Sequence, residues 1–504
     1  MRIPITTSLS IEQFSSGLAT IKQSGTINAI YGQRADGTVY ATQRPGVNIY
    51  LDCSGAGISD TKGRGIYYWP AASAYYFVND DTVYKGDYAS PLAQTITSGI
   101  ERVEFFEVGA YLVILDAENN KGWYINSSAS TTLVEITDVD FPPKQTPALT
   151  ITKGGSSLNN TLYVGCTNGE IWNSAVEDPT TWGSADFTTA EVSTDAGVMI
   201  FPHSDHIAAL GTKSCEFFYD NANATGSPLN VRTDVHHEIG AADFSTAWVE
   251  DSTVYFVGQT PSGSLAVYLM SNFAVQKVSG NDFDSMLTTA LITDGAKAVG
   301  SGFTAGGMAY YVLTIYFETG GIVTPTASYV FGGGWSEWEL MHTGIDDFPL
   351  IDWTDATETR AGTGMLSNGD LITIVDDFSP VDVTDSSVYI ADGYIDVGYY
   401  ASAGADGVNV SMEIITGQGD SNTMETKFSD RLRVVCTPTD SSQTVTVQWS
   451  DEGNNNYNTG RTIDISNPKN KLNRCGSYKF RNYKLTYGGS EKVEIEGIEA
   501  EIRL

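Results

Sequence analysis

A turn-like stretch near the C-terminal end, "SDEGNNNY", nearly reproduces the Asp-box of sialidases, Ser-x-Asp-x-Gly-x-Thr-Trp. Ser450 fits its first position, whereas Glu452, Asn454 and Tyr457 stand where aspartate, glycine and tryptophan are expected. Asp-boxes are turns that lie away from the catalytic centre. This degenerate copy therefore predicts a hairpin and not a sugar-cleaving site.

Other residue types that could do chemistry lack the spacing that chemistry needs. His236, His237 and Glu238 are consecutive, without the i, i+4 spacing of two zinc ligands on a helix, and are interpreted as surface or packing residues. The glycines of 300–307 do not match a phosphate-binding loop, and no Gly-x-Ser-x-Gly nucleophile motif is present. We predict a protein that is not an enzyme, with no catalytic residues, no metal and no cofactor.

One short segment reverses the sign of the local charge. Residues 461–484 contain one acid, Asp464, and seven cations. The segment is interpreted as a solvated strand face, as a docking surface for an acidic neighbour such as another copy of the chain, or as a DNA contact. The candidate residues of an inter-subunit or adaptor interface are Arg461, Lys469, Lys471, Arg474, Lys479, Arg481 and Lys484.

The charge of the whole chain is strongly negative. Its 504 residues include 61 Asp and Glu against 28 Lys and Arg, a formal net charge of −33. Binding of duplex DNA over a broad face requires clustered cations, so this composition argues against it. The same charge also favours solubility at high concentration.

The five scattered cysteines and the hydropathy pattern indicate the compartment in which the protein is made. No Cys-x-x-Cys pair occurs, which predicts reduced and mostly buried thiols. The N-terminus lacks the apolar segment of a secretory signal, and the longest apolar run is too short to span a membrane. We therefore expect synthesis in a cytoplasm and no membrane insertion.

A hairpin pattern recurs along the first three quarters of the chain. A polar turn with Asn, Asp or Gly precedes a short aliphatic and aromatic run, at intervals of 41 to 57 residues. These intervals are typical of propeller blades, although a pair of β-sandwiches is the alternative. The turns lie at Gly37, Asp81, Gly122, Gly169, Gly211, Gly263, Gly320 and Gly369.

The pattern changes after about residue 385. "QTVTVQW" alternates strictly, with Val445, Val447 and Trp449 on one face, and the apolar phase of the last strand flips at Gly497 as in a β-bulge. The predicted fold is all-β: an N-terminal segment (1–26), a β-propeller of six to eight blade-like units (27–384), and a β-sandwich-like C-terminal module (385–504).

The order of several segments resembles one family, the packaged-DNA stabilisation or tail hub (nozzle) proteins of short-tailed bacteriophages. Residues 171–220 carry its Asp-Pro-x-x-Trp, Asp-Phe-x-x-Ala and Gly-x-x-x-x-Glu-x-Phe motifs in order. "QWSDEGNNNY", "NRCGSYKFRNYKLTY" and "KVEIEGIEAEI" are similar to its C-terminal half. Glu452 and Asn454 depart from that pattern, as do Tyr and Phe where the basic strand usually has Trp.

The resemblance implies a structural role in the virion tail. Such proteins form a ring, typically of six copies, below the portal and its adaptor protein, and the ring extends the DNA channel and helps retain the genome until ejection. The implied partners are further copies, the adaptor, a tail needle or plug, tail fibres or spikes, and the packaged DNA passing through; synthesis would be in the host bacterial cytoplasm. The alternative is a glycan-binding or glycan-cleaving propeller of a phage receptor-binding protein.

Overall fold

The computed structural model confirms the all-β prediction: strands form a β-propeller and a β-sandwich. It describes residues 2–4, 10–11, 22–45, 47–51, 53, 55–58, 62–223, 225–250, 252–260, 262–305, 307–319, 322–338, 350–354, 363–374, 395–397, 407–409, 411–417, 425–452, 456–489 and 491–503. The six strands before the propeller blades are β1 (Arg2–Pro4), β2 (Ser10–Ile11), β3 (Lys22–Ile27), β4 (Ala29–Gln33), β5 (Val39–Gln43) and β6 (Val47–Leu51).

Seven groups of antiparallel strands, counted over the described residues, form the blades of the propeller; one parallel bridge joins blades 3 and 4, and another joins blade 6 to β3. Blade 1 contains β7 (Gly63–Trp69), β8 (Ala74–Asn79) and β9 (Thr82–Lys85). Blade 2 contains β10 (Glu104–Val108), β11 (Tyr111–Asp116), β12 (Lys121–Ile125) and β13 (Val134–Glu135). Blade 3 contains β14 (Ile151–Leu158), β15 (Thr161–Cys166), β16 (Glu170–Ala175) and β17 (Asp178–Thr189).

The remaining blades follow in chain order. Blade 4 contains β18 (Gly197–His203), β19 (His206–Gly211), β20 (Cys215–Asp220) and β21 (Leu229–His237). Blade 5 contains β22 (Gly240–Ala241), β23 (Trp248–Glu250), β24 (Thr253–Gln259), β25 (Leu265–Ser271) and β26 (Ala274–Lys277). Blade 6 contains β27 (Lys297–Ala305), β28 (Met308–Thr319), β29 (Ile322–Phe331) and β30 (Trp335–Trp338). Blade 7 contains β31 (Leu350–Thr354), β32 (Thr363–Leu366) and β33 (Leu371–Ile374).

The ring of blades closes through both side chains and backbone. The inner strand β31 of blade 7 packs against β7 of blade 1, where Asp352 accepts a hydrogen bond from the backbone N–H of Ile66 at 2.8 Å. The N-terminal strand β6 pairs antiparallel with β33 and completes blade 7. Because two distant parts of the chain share one blade, the ring cannot open there without breaking a strand pair.

One helical segment interrupts the strands, between blades 5 and 6. Helix α1 (Asn281–Thr288) continues into one π-helical turn, Thr289–Thr293. Its buried residues Phe283, Met286 and Leu287 have the i, i+3, i+4 spacing of one helix face, and Phe283 stacks on Trp335 of blade 6. Short 3-10 turns occur at Pro70–Ala72, Pro142–Lys144 and Phe244–Thr246. Among the described residues, no helix has the length and apolar character needed to cross a membrane.

The last ten strands complete the fold. They are β34 (Ile395–Val397), β35 (Gly407–Asn409), β36 (Met412–Ile415), β37 (Lys427–Cys436), β38 (Thr444–Ser450), β39 (Arg461–Asp464), β40 (Leu472–Asn473), β41 (Ser477–Tyr478), β42 (Asn482–Tyr487) and β43 (Ile495–Arg503). Strand β34 pairs with β6 beside blade 7, and the strands from β36 onward build the β-sandwich.

Both ends of the chain contribute to the sandwich. One sheet has the order β4-β5-β43-β37-β40, and the other runs β3-β36-β42-β38-β39. The core between them includes Tyr31 of β4 with Val445 and Val447 of β38, the apolar face that the alternation predicted. The predicted division placed residues 27–43 in the propeller, and the structure places them in the sandwich. The expected boundary at 384 lies outside the described residues.

Most predicted turns are hairpin tips, with two corrections at Gly122 and Gly211; Gly211 is the last residue of β19 and pairs with Gly197. Gly169 and Gly369 have φ of +90° and +92° in the turns β15–β16 and β32–β33, a conformation that favours glycine. Gly37 also lies at a tip, but in the sandwich. Gly122 lies inside β12, and Asn120 with φ of 53° stands in the turn. The pattern mistook a glycine needed for packing for a turn glycine; Gly320 lies outside the described residues.

Replacement of Gly122 by alanine should destabilise blade 2. A Cβ there would come within 2.9 Å of Ile136 and Phe141, so the core must shift, at a cost of about 1–3 kcal/mol. Thermal unfolding followed by circular dichroism measures the loss. Gly417 is the matched control, because a Cβ there meets no atom within 4 Å and its replacement by alanine should change little. Equal melting temperatures for both variants would contradict the packing role.

Candidate interaction surface

The basic segment 461–484 folds into strands β39 to β42 of the sandwich, which distribute its cations between interior and surface. Strands β40 and β41 both pair with β37 and form the last strands on one side of the first sandwich sheet. Strand β42 lies inside the second sheet, between β36 and β38. The seven predicted interface residues therefore do not share one surface.

Arg481 is an internal residue. It is 2 % exposed, and its guanidinium bonds Asp451 through two nitrogen–oxygen pairs, at 2.6 and 2.8 Å. Its third nitrogen donates to the carbonyl oxygen of Cys475 at 2.6 Å, and the group lies over the rings of Tyr478 and Trp449. A guanidinium with these partners has no surface to offer another protein, so the interface prediction is wrong for Arg481.

Two further cations serve the sandwich itself. The Nζ atom of Lys484 lies 2.7 Å from Glu413 on the adjacent strand β36, and both side chains are about a quarter exposed. Arg461 is half-buried and donates from Nη1 to the carbonyl oxygen of Asn473 at 3.0 Å. These contacts hold neighbouring strands in register, which leaves both residues poorly placed as free interface cations.

Four of the seven candidates are exposed and lie along one edge of the sandwich. Lys469 and Lys471 precede β40, Arg474 follows it, and Lys479 follows β41. Within the part of the chain that the structure describes, their side chains form no ion pair. We call these four residues the basic edge, and they form the candidate interaction surface.

The Asp-box-like turn has a structural role that the sequence comparison missed. Asp451, an unspecified position of the Asp-box, supplies the carboxylate that binds Arg481. Glu452 donates its backbone N–H to the hydroxyl of Ser450 at 3.2 Å, which tightens the turn. Asn454 lies outside the described residues. The turn thus fixes an ion pair between the half-exposed Asp451, just after β38, and the buried Arg481 before β42.

Arg102 joins four blades across the propeller axis. It stands before β10 of blade 2, and its Nη1 and Nη2 atoms donate to the carbonyl oxygens of Gly300, Ile351 and Ala247 in blades 6, 7 and 5, at 3.1 to 3.4 Å. Its Nε atom donates to Glu104 at 2.9 Å. Burial raises the pKa of the Glu104 carboxyl, while Arg102 opposes that rise. No sequence motif marks Arg102, because its partners are distant backbone carbonyls.

A cavity of about 420 Å³ lies beside this arginine. Lys153 stands at its wall between Glu101 and Asp243, at 2.9 and 3.7 Å from their carboxylates. Ile100 and Ile292 are exposed at the same cavity. Lys153 therefore neutralises both carboxylates, and these ion pairs connect blade 3 to the segments that precede blade 2 and β23 of blade 5.

A second cross-blade contact centres on Phe273, at the tip of the β25–β26 hairpin of blade 5. Its backbone N–H donates to Nε2 of His203 at 3.1 Å, and its carbonyl oxygen accepts from His237 at 2.8 Å. Its ring meets those of His203 and His206 edge-on, and the guanidinium of Arg232 lies 4.1 Å from the ring centre. We call these five residues the Phe273 cluster, which fastens blade 5 to blade 4.

His203 must be neutral in this cluster. Its side chain is buried, and Nε2 accepts a hydrogen bond, so the proton of the neutral ring is on Nδ1. A second proton on Nε2 would face the N–H of Phe273. Burial, with the nearby charge of His206, lowers the pKa of His203. Asp205 and Asp234 also face the cluster, through His206 and Arg232.

The remaining chemistry-bearing residues are placed as packing or surface groups. His236 and Glu238 are exposed at the end of β21, and His237 packs in the Phe273 cluster, in agreement with the interpretation of that sequence. In the described ranges, no three His, Cys, Asp or Glu side chains lie close enough to hold a metal ion. All five cysteines are free, and four of them are buried.

A propeller held by buried cross-blade contacts and a sandwich with a charged edge together define a β-propeller protein with an attached β-sandwich. Residues 29–348 match the family described as "Bacteriophage P22 Gp10, beta-propeller", which is more than half of the chain. The protein therefore belongs to this phage stabilisation family and is a phage structural protein. The resemblance drawn from the sequence is confirmed. No curated protein matches the chain by sequence comparison.

Similar solved structures are remote. The N-terminal domain of Nup159 is 8 % identical, with a TM-score of 0.38, over 70 % of this chain and 99 % of its own. BamB from Moraxella catarrhalis is 10 % identical, with a TM-score of 0.34, over 74 % of this chain and 96 % of its own. Similarities at this level add nothing to the assignment.

Replacement of Arg481 by methionine should destabilise the sandwich strongly. The buried Cys475 carbonyl would lose its donor, and Asp451, whose side chain is 39 % exposed, would lose its partner while staying solvated, at a cost of about 1–3 kcal/mol. Urea unfolding followed by tryptophan fluorescence measures it. Lys479→Met is the control, since this exposed residue should contribute less than about 0.5 kcal/mol. Equal stability of the two variants would show that the ion pair contributes nothing.

Stability should fall with acidification partly through His203. A histidine whose folded-state pKa is lowered binds a proton more readily when unfolded, so its contribution is present above about pH 6.5 and is lost as the pH falls below that value. His203→Gln keeps a hydrogen-bond acceptor that does not titrate. We expect its melting temperature to fall less than that of the wild type between pH 7.5 and 5.5. Parallel pH profiles would contradict this role.

Proposed function

We propose that the protein is a tail hub, or nozzle, component of a short-tailed phage. Several copies would form a ring, typically of six, below the portal and its adaptor protein. The ring would extend the DNA channel and help retain the packaged genome until ejection, with no catalysis by this chain. The observation that carries the proposal is the match of the propeller region to the phage stabilisation family.

The centre of the propeller supports a channel between copies rather than through one chain. Arg102 bonds three blades across the axis, and the neighbouring cavity holds the paired Lys153 and Glu101. A duplex could pass along this axis only after these bonds broke. The DNA path of the proposed hub therefore lies outside each propeller, in the space that a ring of chains would enclose.

The charge of the chain suits a passage that DNA must leave quickly. A net charge of −33 repels phosphate, and each attractive contact with the backbone would have to be broken during ejection. Buried arginines such as Arg64 and Arg481 are unavailable to phosphate, because each is engaged with a carboxylate inside the fold. A wall with these properties would guide the duplex without binding it.

The proposed partners follow from the same assembly. The adaptor would contact one end of the ring, and a needle or plug and fibres or spikes would attach near the other. The protein would be made in the host cytoplasm and end in the virion tail. A receptor-binding propeller that binds or cleaves glycans is the other candidate, and release of sugar from host polysaccharide by the purified chain would favour it.

Heads assembled without this protein should lose DNA. In a host infected by phage lacking its gene, we expect filled heads whose genome becomes sensitive to nuclease within hours. Purified protein added to these heads before their DNA leaks should restore protection. Particles lacking only their fibres are the control and should stay protected. Full DNA retention by heads without the protein would contradict the proposed role.

A further inference from the structure

The basic edge has features of a docking surface beyond its charge. It borders β37, whose Phe428 is 50 % exposed and pairs with Ser477 of β41. An exposed aromatic residue beside cations is typical of an interface anchor, because the ring supplies apolar contact and the charges direct the approach. Between the short strands β40 and β41, the linking residues Arg474 and Cys475 donate their backbone N–H groups to Asp430 and Ser429 of β37, so the edge is closed along its backbone and a partner would meet its side chains.

The outer strands of blades 3 and 4 expose apolar side chains. Strands β17 and β21 are the two end strands of an eight-stranded sheet. Four of the exposed large apolar side chains lie on or next to the outer strands of these blades: Val176, Phe187, Val192 and Val231. Exposed apolar side chains are a feature of protein contact surfaces.

A groove of about 450 Å³ opens at one end of the same two blades. Its walls include Asp205, Asp220 and Asp234, and the side chains of Asp205 and Asp234 are 84 % and 67 % exposed. Arg232 is the cation of the groove wall and is already paired with Asp234. The groove, which we call the acidic groove, is thus negative and large enough for the end of a lysine or aromatic side chain.

We infer that the basic edge of one copy docks into the acidic groove of a second copy. The partner is a copy of this chain because the chain itself presents both complementary surfaces on different modules. A contact between unlike surfaces is heterologous, so it repeats from copy to copy and closes into a ring when the rotation permits. The inference rests on the proposed function, which requires a ring, and it names the two surfaces that would build it.

DNA fits the basic edge less well than a second copy does. Four exposed cations release few counterions, and the nearby arginines Arg503 and Arg431 add little, because each is paired with a carboxylate, that of Asp430 or Glu501. A protein partner gains from the exposed Phe428 as well as from the charges, whereas a phosphate backbone gains only from the charges. The same four cations would lose most of their attraction at high salt if no apolar contact supported them.

Single charge reversals test the docking. Lys479→Glu and Asp205→Lys should each weaken self-association of the full chain at least tenfold in sedimentation at 50 mM salt, and the double variant should recover much of it because the two signs are exchanged together. Lys213→Glu is the matched control: this exposed lysine lies at the turn β19–β20, at the opposite end of blade 4 from the groove, and should leave association unchanged.

Three outcomes would overturn the docking. They are a wild-type chain that stays monomeric at all concentrations, single variants that associate like the wild type, or a double variant whose losses add instead of cancelling. DNA binding that falls with Lys479→Glu while self-association is unchanged would assign the edge to nucleic acid. Loss of self-association in solution with normal DNA retention by the variant heads would show that other surfaces build the ring and would also overturn the docking. Leakage from heads lacking the whole protein tests the proposed function separately.

Discussion

The closed ring of seven blades is held by buried arginines that link one blade to others through backbone carbonyls or a carboxylate. Arg102 reaches three blades from a fourth, and Arg64 is fully buried with its Nη2 atom 2.8 Å from Asp116 of blade 2. Arg64 also donates to the carbonyl oxygens of Thr97 and Glu101. A guanidinium has five donors in a fixed plane, so one side chain can satisfy carbonyls that no strand ladder reaches. Each blade sheet is too small to bury both faces, so the contacts between blades stabilise the ring.

The second constraint is that N-terminal strands pair with later parts of the chain in both modules. Strand β6 completes blade 7, while β3 to β5 join the C-terminal strands of the sandwich. Strand β3 lies between β30 of blade 6 and β36, so one sheet continues from the propeller into the sandwich. Trp338 donates its indole N–H to the carbonyl oxygen of Ala29 at this junction, at 3.1 Å. The two modules therefore share strands, and a partner attached to the sandwich is rigidly connected to the blades.

Local patterns in the sequence predicted what local physics determines. Tight turns at Gly169 and Gly369 and the alternation of Val445 and Val447 follow from neighbours along the chain, and all appear in the structure. Gly122 was misread because a glycine required by the ring of Phe141 looks in sequence like a glycine required by a turn. The assignment of strands 29–43 to the propeller failed because β5, which pairs locally with β4, joins the sandwich by pairing with β43, more than 400 residues away, where periodicity carries no information.

The candidate interaction surface was also misread because a contact distant in sequence decides which cations are exposed. Seven cations in 24 residues suggested one basic face, yet Arg481 alternates into the core because Asp451, 30 residues earlier, neutralises it there.

This division of the cations has a consequence for assembly. Arg481 is neutralised by Asp451 and offers no positive charge to a partner, so the net charge of −33 dominates the encounter of two copies. Copies of such a chain repel one another over most approaches. Self-association then requires an orientation in which the few unpaired cations meet acids, and the basic edge, with Phe428 beside it, offers one. Repulsion between the other acidic surfaces makes this orientation selective. Two copies that meet in any other orientation repel each other, whereas the basic edge and the acids attract.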